Sequence, residues 1–125
     1  MGRKPQPEPV LLGPLEEQVM LAVLRIMLAV PRTAGDAYGM HVRRELETVT
    51  GRDFAIGAVY ATLDRLEAKG LVVSSMGAPL AIRGGRPRRY FEVTPAGLDA
   101  LRSAQATVRR LSEGLDLDAL AESGS

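Results

Sequence analysis

The densest cluster of reactive groups in this chain is RGGRPRRYF, Arg83–Phe91, which packs four arginines, two glycines, a proline and two aromatics into nine residues. Three uses suit that composition: a solvated basic loop, the phosphate cradle of an enzyme, or a grip on a nucleic-acid backbone. A phosphate-binding P-loop needs a strand–loop–helix setting and a Gly-Lys-Ser/Thr ending, and this stretch has neither. His41 is the only histidine, so no two-histidine metal site or histidine relay is available, and it reads as a surface residue. The pairs Glu16/Glu17 and Glu45/Glu47 read as solvated helix faces rather than general acid–base pairs. The chain has no cysteine, which excludes disulfides, thiolate catalysis and Cys-based metal sites. The expectation is therefore no enzyme, no cofactor and no metal.

A length of 125 residues, 46% hydrophobic and 25% charged, suits one globular domain with a modest core. The formal charge of +1 hides an asymmetry. All 16 basic residues and 11 of the 15 acids fall within residues 1–110, a net of +5, and four acids follow Arg110. A cationic body with an anionic tail is compatible with a polyanionic partner, although basic faces are usually just solvated. The apolar run Val19–Val30 is broken by Arg25 and is shorter than the ~20 residues of a membrane span. The polar, proline-rich start lacks a secretory pattern, so the expected location is the cytoplasm, with no membrane partner.

Whatever Arg83–Phe91 does, other elements must hold it. Residues 1–13, with three prolines and two glycines, read as a disordered arm. Pro14 suits a first helical turn, with Glu16 and Glu17 behind it at the positive end of the helix dipole. From Leu15 onward Val19, Ala22, Val23, Ile26, Met27 and Val30 share one helical face. Met20, Leu21, Leu24 and Leu28 lie on another flank. So small a domain covers only one face by itself, so the surplus at Leu21, Leu24 and Leu28 predicts a subunit interface. A second helix is predicted after Asp36 as N-cap, with Tyr38, Val42, Leu46 and Val49 as its core stripe and Gly51 as its stop. A third spans Ile56–Lys69 and stops at Gly70, burying Ile56, Val59, Leu63 and Leu66.

Two β-rich runs, Leu71–Met76 and Arg89–Thr94, then predict a hairpin with Gly84-Gly85 as its tight turn. Thr94-Pro95 reads as an N-cap and N1 proline for a last helix. Along it Leu101, Val108, Leu111 and Leu115 follow the 3/4 spacing of a helix packed lengthwise on a partner. Three helices, a two-stranded hairpin and a last helix make a mainly α fold with a small β-hairpin, the winged helix-turn-helix order. The predicted divisions are an arm over 1–13, a DNA-binding domain over 14–94, a dimerisation helix over 95–116 and a flexible acidic tail over 117–125.

Nucleic-acid binding needs phosphate neutralisation and an element that fits a groove. The third helix offers a side nearly free of bulk, Gly57, Ala58 and Ala61, flanked by Thr62, Arg65 and Lys69. Tyr60 either aims its hydroxyl at a phosphate or is a core-edge tyrosine; Arg65 either meets DNA or pairs with an acid. The hairpin offers Arg83, Arg86, Arg88 and Arg89, suited to a backbone or minor groove, with a solvated loop as the alternative.

Three blocks in order, AYGMHVRREL (Ala37–Leu46), IGAVYATLDRLEAKGLV (Ile56–Val72) and RGGRPRRYFEVTPAGLDAL (Arg83–Leu101), resemble the PadR-like transcriptional regulators. The likeness runs from about Leu12 to Leu111 and is to the short subgroup with a single C-terminal helix. It implies a homodimeric repressor on double-stranded DNA with a pseudo-palindromic operator. By the same resemblance, Ile56–Lys69 reads the major groove, Tyr60 and Arg65 hold recognition-helix positions, and Arg86, Arg88 and Arg89 belong to a basic wing. Two other readings remain open: a winged-helix module that binds protein, and a repressor gated by a small apolar effector at the dimer interface.

Overall fold

The computed structural model describes residues 11–29, 38–76 and 89–124. Its elements run α1 (Pro14–Met27), α2 (Gly39–Thr50), α3 (Ile56–Ala68), β1 (Val72–Met76), β2 (Arg89–Val93), α4 (Pro95–Ser112) and α5 (Leu117–Ser123). The local signals act as expected. Pro14 opens α1, Gly51 and Gly70 follow α2 and α3 at φ of 70° and 75°, and the Thr94 hydroxyl accepts from the Gly97 N–H at 3.0 Å to cap α4. Five residues link α2 to α3, and the Phe54 N–H donates to Glu47 Oε2 at 2.9 Å, which sets the turn between them.

The core is built around α1. Val19, Met20, Val23 and Ile26 meet Val42 and Leu46 of α2, Val59, Leu63 and Leu66 of α3, and Phe91 and Val93 of β2. β1 and β2 are antiparallel, paired from Val72↔Val93 to Met76↔Arg89, and alternation puts Phe91 and Val93 inside with Glu92 outside. Burying a side chain such as Phe91 stabilises by about 2–3 kcal/mol. Gly97 lets α4 close on this core: a Cβ built there would lie 2.2 Å from the Leu71 carbonyl oxygen.

Several expectations are corrected. Tyr38 is the residue before α2 rather than part of its core stripe; its backbone bridges Tyr90, and the two rings meet edge to face at 6.1 Å. Val49 is 56% exposed, facing an open groove between α1 and α2 that Leu21, Ala22 and Leu46 also line. Leu101 is buried in the protomer's own core, only 4% exposed, so it is not on an outward seam. In place of a frayed tail, residues 117–123 form a short helix, because the Asp116 carboxylate accepts from the Ala119 N–H at 3.1 Å and caps it. The C-terminal region therefore holds two helices, not one. The expected Asp36 cap, Val30, the Gly84-Gly85 turn and most of the 1–13 arm lie outside the described residues.

Candidate nucleic-acid interface

α3 divides cleanly. Val59, Leu63 and Leu66 enter the core, while Gly57, Ala58, Tyr60, Ala61, Asp64, Arg65 and Ala68 remain exposed. Gly57 has nothing within 4 Å of the position a Cβ would take. The outward side is thus almost bare backbone and methyl groups, open to close approach. Tyr60, at the edge of that side, lies against Gly39 at the start of α2, where a Cβ would fall 2.2 Å from the ring carbon Cζ. That glycine is what lets the tyrosine pack down.

Thr62 is not on the outward side. It is fully buried, its hydroxyl donating to the Ala58 carbonyl at 2.7 Å and accepting from Arg65 Nη2 at 3.1 Å. Its place in the helix turns it inward, so it orients Arg65 instead of meeting a ligand. Arg65 itself stays exposed.

Lys69 is committed elsewhere. Its Nζ donates to Glu16 Oε1 at 3.0 Å and Oε2 at 2.7 Å. Glu16, read from sequence as a solvated acid, is buried and also accepts from the Gly13 N–H at 2.8 Å. Burial alone would raise its carboxyl. The hydrogen bonds from Lys69 and Gly13, with the charges of Lys69 and Arg65, outweigh that and hold it below its ordinary value. A largely buried carboxylate needs such partners.

Arg89 is likewise paired. Nη1 donates to Asp64 Oδ1 at 2.8 Å, Nη2 to Glu67 Oε1 and Nε to Ser74 Oγ at 3.1 Å. Its hydrogen bond to Asp64 leads in keeping it even more firmly protonated than usual. Glu67 also accepts from the Ser74 hydroxyl; that bond, with Arg89, outweighs burial and lowers the Glu67 carboxyl. Arg83, Arg86 and Arg88 lie outside the described residues.

Of the expected interface positions, α3 thus gathers Gly57, Ala58, Tyr60, Ala61 and Arg65 on one side, while Thr62, Lys69 and Arg89 serve the protein's own contacts. The acids Glu16, Asp64 and Glu67 escaped the sequence reading as partners. Each lies 22 to 53 residues from the cation it pairs with, on another element, so no helical spacing signals the pairing. On the expected dimer faces, Leu21 and Leu24 are half-buried against the core, while Leu28, Val108, Leu111 and Leu115 are exposed. Among the described residues no group of three or more His, Cys, Asp or Glu side chains is placed to hold a metal, and no helix is long and apolar enough to cross a membrane.

The model of the "Transcriptional regulator PadR-like family" matches residues 27–103. The chain is 32% identical over 91 residues to the transcriptional regulator Rv3488 of Mycobacterium tuberculosis, covering 73% of this chain and 80% of that protein. Its fold is similar to a PadR-like transcription factor from Bacteroides fragilis, with a TM-score of 0.61 at 22% identity over 79% of this chain and 84% of the other. It is also similar to a PadR family regulator from Eggerthella lenta, with a TM-score of 0.55 at 25% identity over 79% and 80%. The three helices and two-stranded sheet are those of a winged helix.

Proposed function

This chain belongs to the PadR-like family of transcriptional regulators, which are not enzymes, and from that premise we propose that it is a homodimeric repressor acting in the cytoplasm on a pseudo-palindromic operator. α3 enters the major groove, and the wing with Arg83, Arg86 and Arg88 lies along the flanking backbone or minor groove. Residues 14–94 form the DNA-binding domain, and residues 95–116 supply dimer contacts together with the outward leucines of α1. What supports this most is the outward side of α3, where Gly57, Ala58 and Ala61 leave the helix bare beside the Arg65 held by Thr62. A helix so stripped reaches base edges without a steric barrier, and an oriented guanidinium presents two donors to one guanine.

The test is fluorescence anisotropy with a duplex enriched on the protein from a random library, titrated from about 50 to 200 mM salt. Backbone neutralisation by several arginines makes log K fall linearly with log salt, by about 0.9 per phosphate contact. Absent or salt-independent binding would sink the proposal. The same assay separates fold from interface at Ala61. Ala61→Leu keeps a good helix former on an exposed position, so thermal unfolding should be unchanged while affinity for the enriched duplex drops at least about tenfold, as bulk holds the helix off the bases.

Leu28 just after α1, Val108 and Leu111 on α4, and Leu115 after it are large apolar side chains left 54–75% exposed, surface suited to a partner. These residues, with Leu21 and Leu24, form the proposed dimer face. The double variant Val108→Asp with Leu111→Asp should elute as a monomer in light-scattering chromatography and lose at least about tenfold in affinity, since two linked half-sites no longer bind together. A surviving dimer would remove α4 from the interface. A signal that changes the angle between protomers would change the spacing of their two α3 helices, so such an interface is also where control would act.

A further inference from the structure

The hairpin is tied to α3 at one level by a single cation. Arg89 opens β2 and pairs with Met76, the last described residue of β1. From there its guanidinium spans to Asp64 and Glu67 on α3 and to Ser74 on β1, and its central carbon stands 4.8 Å from the centroid of the buried Phe91 ring. The Ser74 hydroxyl closes the circuit by donating to Glu67. One side chain thereby joins both strands of the wing to the helix proposed to read bases.

We infer that Arg89 is a positioning residue that sets the angle between wing and α3, and that Asp64 and Glu67 keep its charge off the DNA. This rests on the groove and wing assignment made above. Three physical points carry it. To reach a phosphate the guanidinium must give up two charge-assisted hydrogen bonds, which are among the strongest available to it. It must also leave its stacking place over Phe91. And the cluster of one arginine and two carboxylates is net negative, so it repels a phosphate rather than drawing one. A wing held at a fixed angle grips the backbone fully only when α3 is seated in a groove. Asp64 and Glu67 thus trade non-specific attraction for discrimination between sites.

The measurement is affinity for the enriched duplex and for a random-sequence duplex of equal length, each across a salt series, with unfolding followed by circular dichroism. For Arg89→Gln, affinity for the enriched duplex should fall about tenfold, affinity for random DNA should stay within about twofold, and the salt slope should be unchanged, because no phosphate contact is lost. A slope shallower by about one, with both duplexes weakened equally, marks Arg89 as an ordinary phosphate contact and overturns the inference. The second variant, Asp64→Asn with Glu67→Gln, leaves Arg89 in place and frees its charge. Random-sequence affinity should rise about fivefold with a slope steeper by about one, and the ratio of enriched to random binding should fall. An unchanged slope in that variant also overturns the inference, even where Arg89→Gln fails to fold. A wild-type chain that binds neither duplex removes the underlying interface reading and this inference with it, an outcome separable from the other two by the wild-type titration alone.

Discussion

Gly97→Ala is expected to cost about 3 kcal/mol of folding stability, at the upper end of ordinary overpacking effects. The added methyl would lie 2.2 Å from the Leu71 carbonyl oxygen, 2.8 Å from Val93 Cγ1 and 3.0 Å from Met20 Cε. Val93 and Met20 have some freedom to repack, but the first contact is with backbone. That carbonyl cannot simply move aside, because it accepts the Thr94 N–H at 3.0 Å and Thr94 caps α4 through the Gly97 N–H. Relief therefore means lifting α4 and loosening its cap. Against a typical total of 5–15 kcal/mol, this is a large share. Urea unfolding at fixed protein concentration measures it, with Gly57→Ala as control. At Gly57 nothing lies within 4 Å, so the same exchange should be neutral or stabilise by a few tenths of a kcal/mol, on the order expected from helix propensity. Equal losses at the two positions would show that the close approach of α4 is not what Gly97 provides.

Gly97 also marks the limit of what the chain discloses on its own. Its neighbours in sequence announce a helix start, Thr94-Pro95, and that local chemistry suffices to place α4. Its contact with Leu71 depends on a meeting of distant segments and leaves no trace in periodicity. The same division runs through the interface. The apolar stripe of α3 and the bareness of Gly57, Ala58 and Ala61 were legible, since helical spacing alone sorts residues onto faces. Thr62 was misplaced because it borders both faces, and its hydroxyl is satisfied within the helix at Ala58, a pattern that lets threonine be buried in a helix. Arg89 read as a DNA cation because it stands in a basic run, and Lys69 because it flanks the open side of α3, whereas the acids that claim them lie 53 residues away for Lys69 and 22 and 25 for Arg89. α5 was missed because composition favoured a tail, while one Asp side chain at the right place started a helix.

The Glu16–Lys69 pair joins the start of α1 to the end of α3, so it fixes the proposed recognition helix to the helix that would carry dimer contacts. Its worth should be strongly dependent on pH. In the wild type the Glu16 carboxyl lies below its ordinary value, so its contribution is fully present above the unfolded-state value and is lost as pH falls through the folded one. Lys69→Met removes the main opposition to burial, leaving the Gly13 N–H and the more distant Arg65, and the Glu16 carboxyl must move up. At neutral pH the variant then holds a buried charge without its partner, a situation that costs 3–5 kcal/mol in fully buried pairs. Because the Lys69 side chain is 37% exposed, solvent screening lowers the expected loss to about 1–2 kcal/mol. As pH falls the variant's Glu16 protonates first and sheds its penalty, while the wild type later loses its advantage, so the gap should narrow in acid. Urea midpoints at pH 7 and near pH 3 measure this at constant protein concentration. A gap of the same size at both would mean that Lys69 matters through the packing of its methylenes and not through its charge on Glu16.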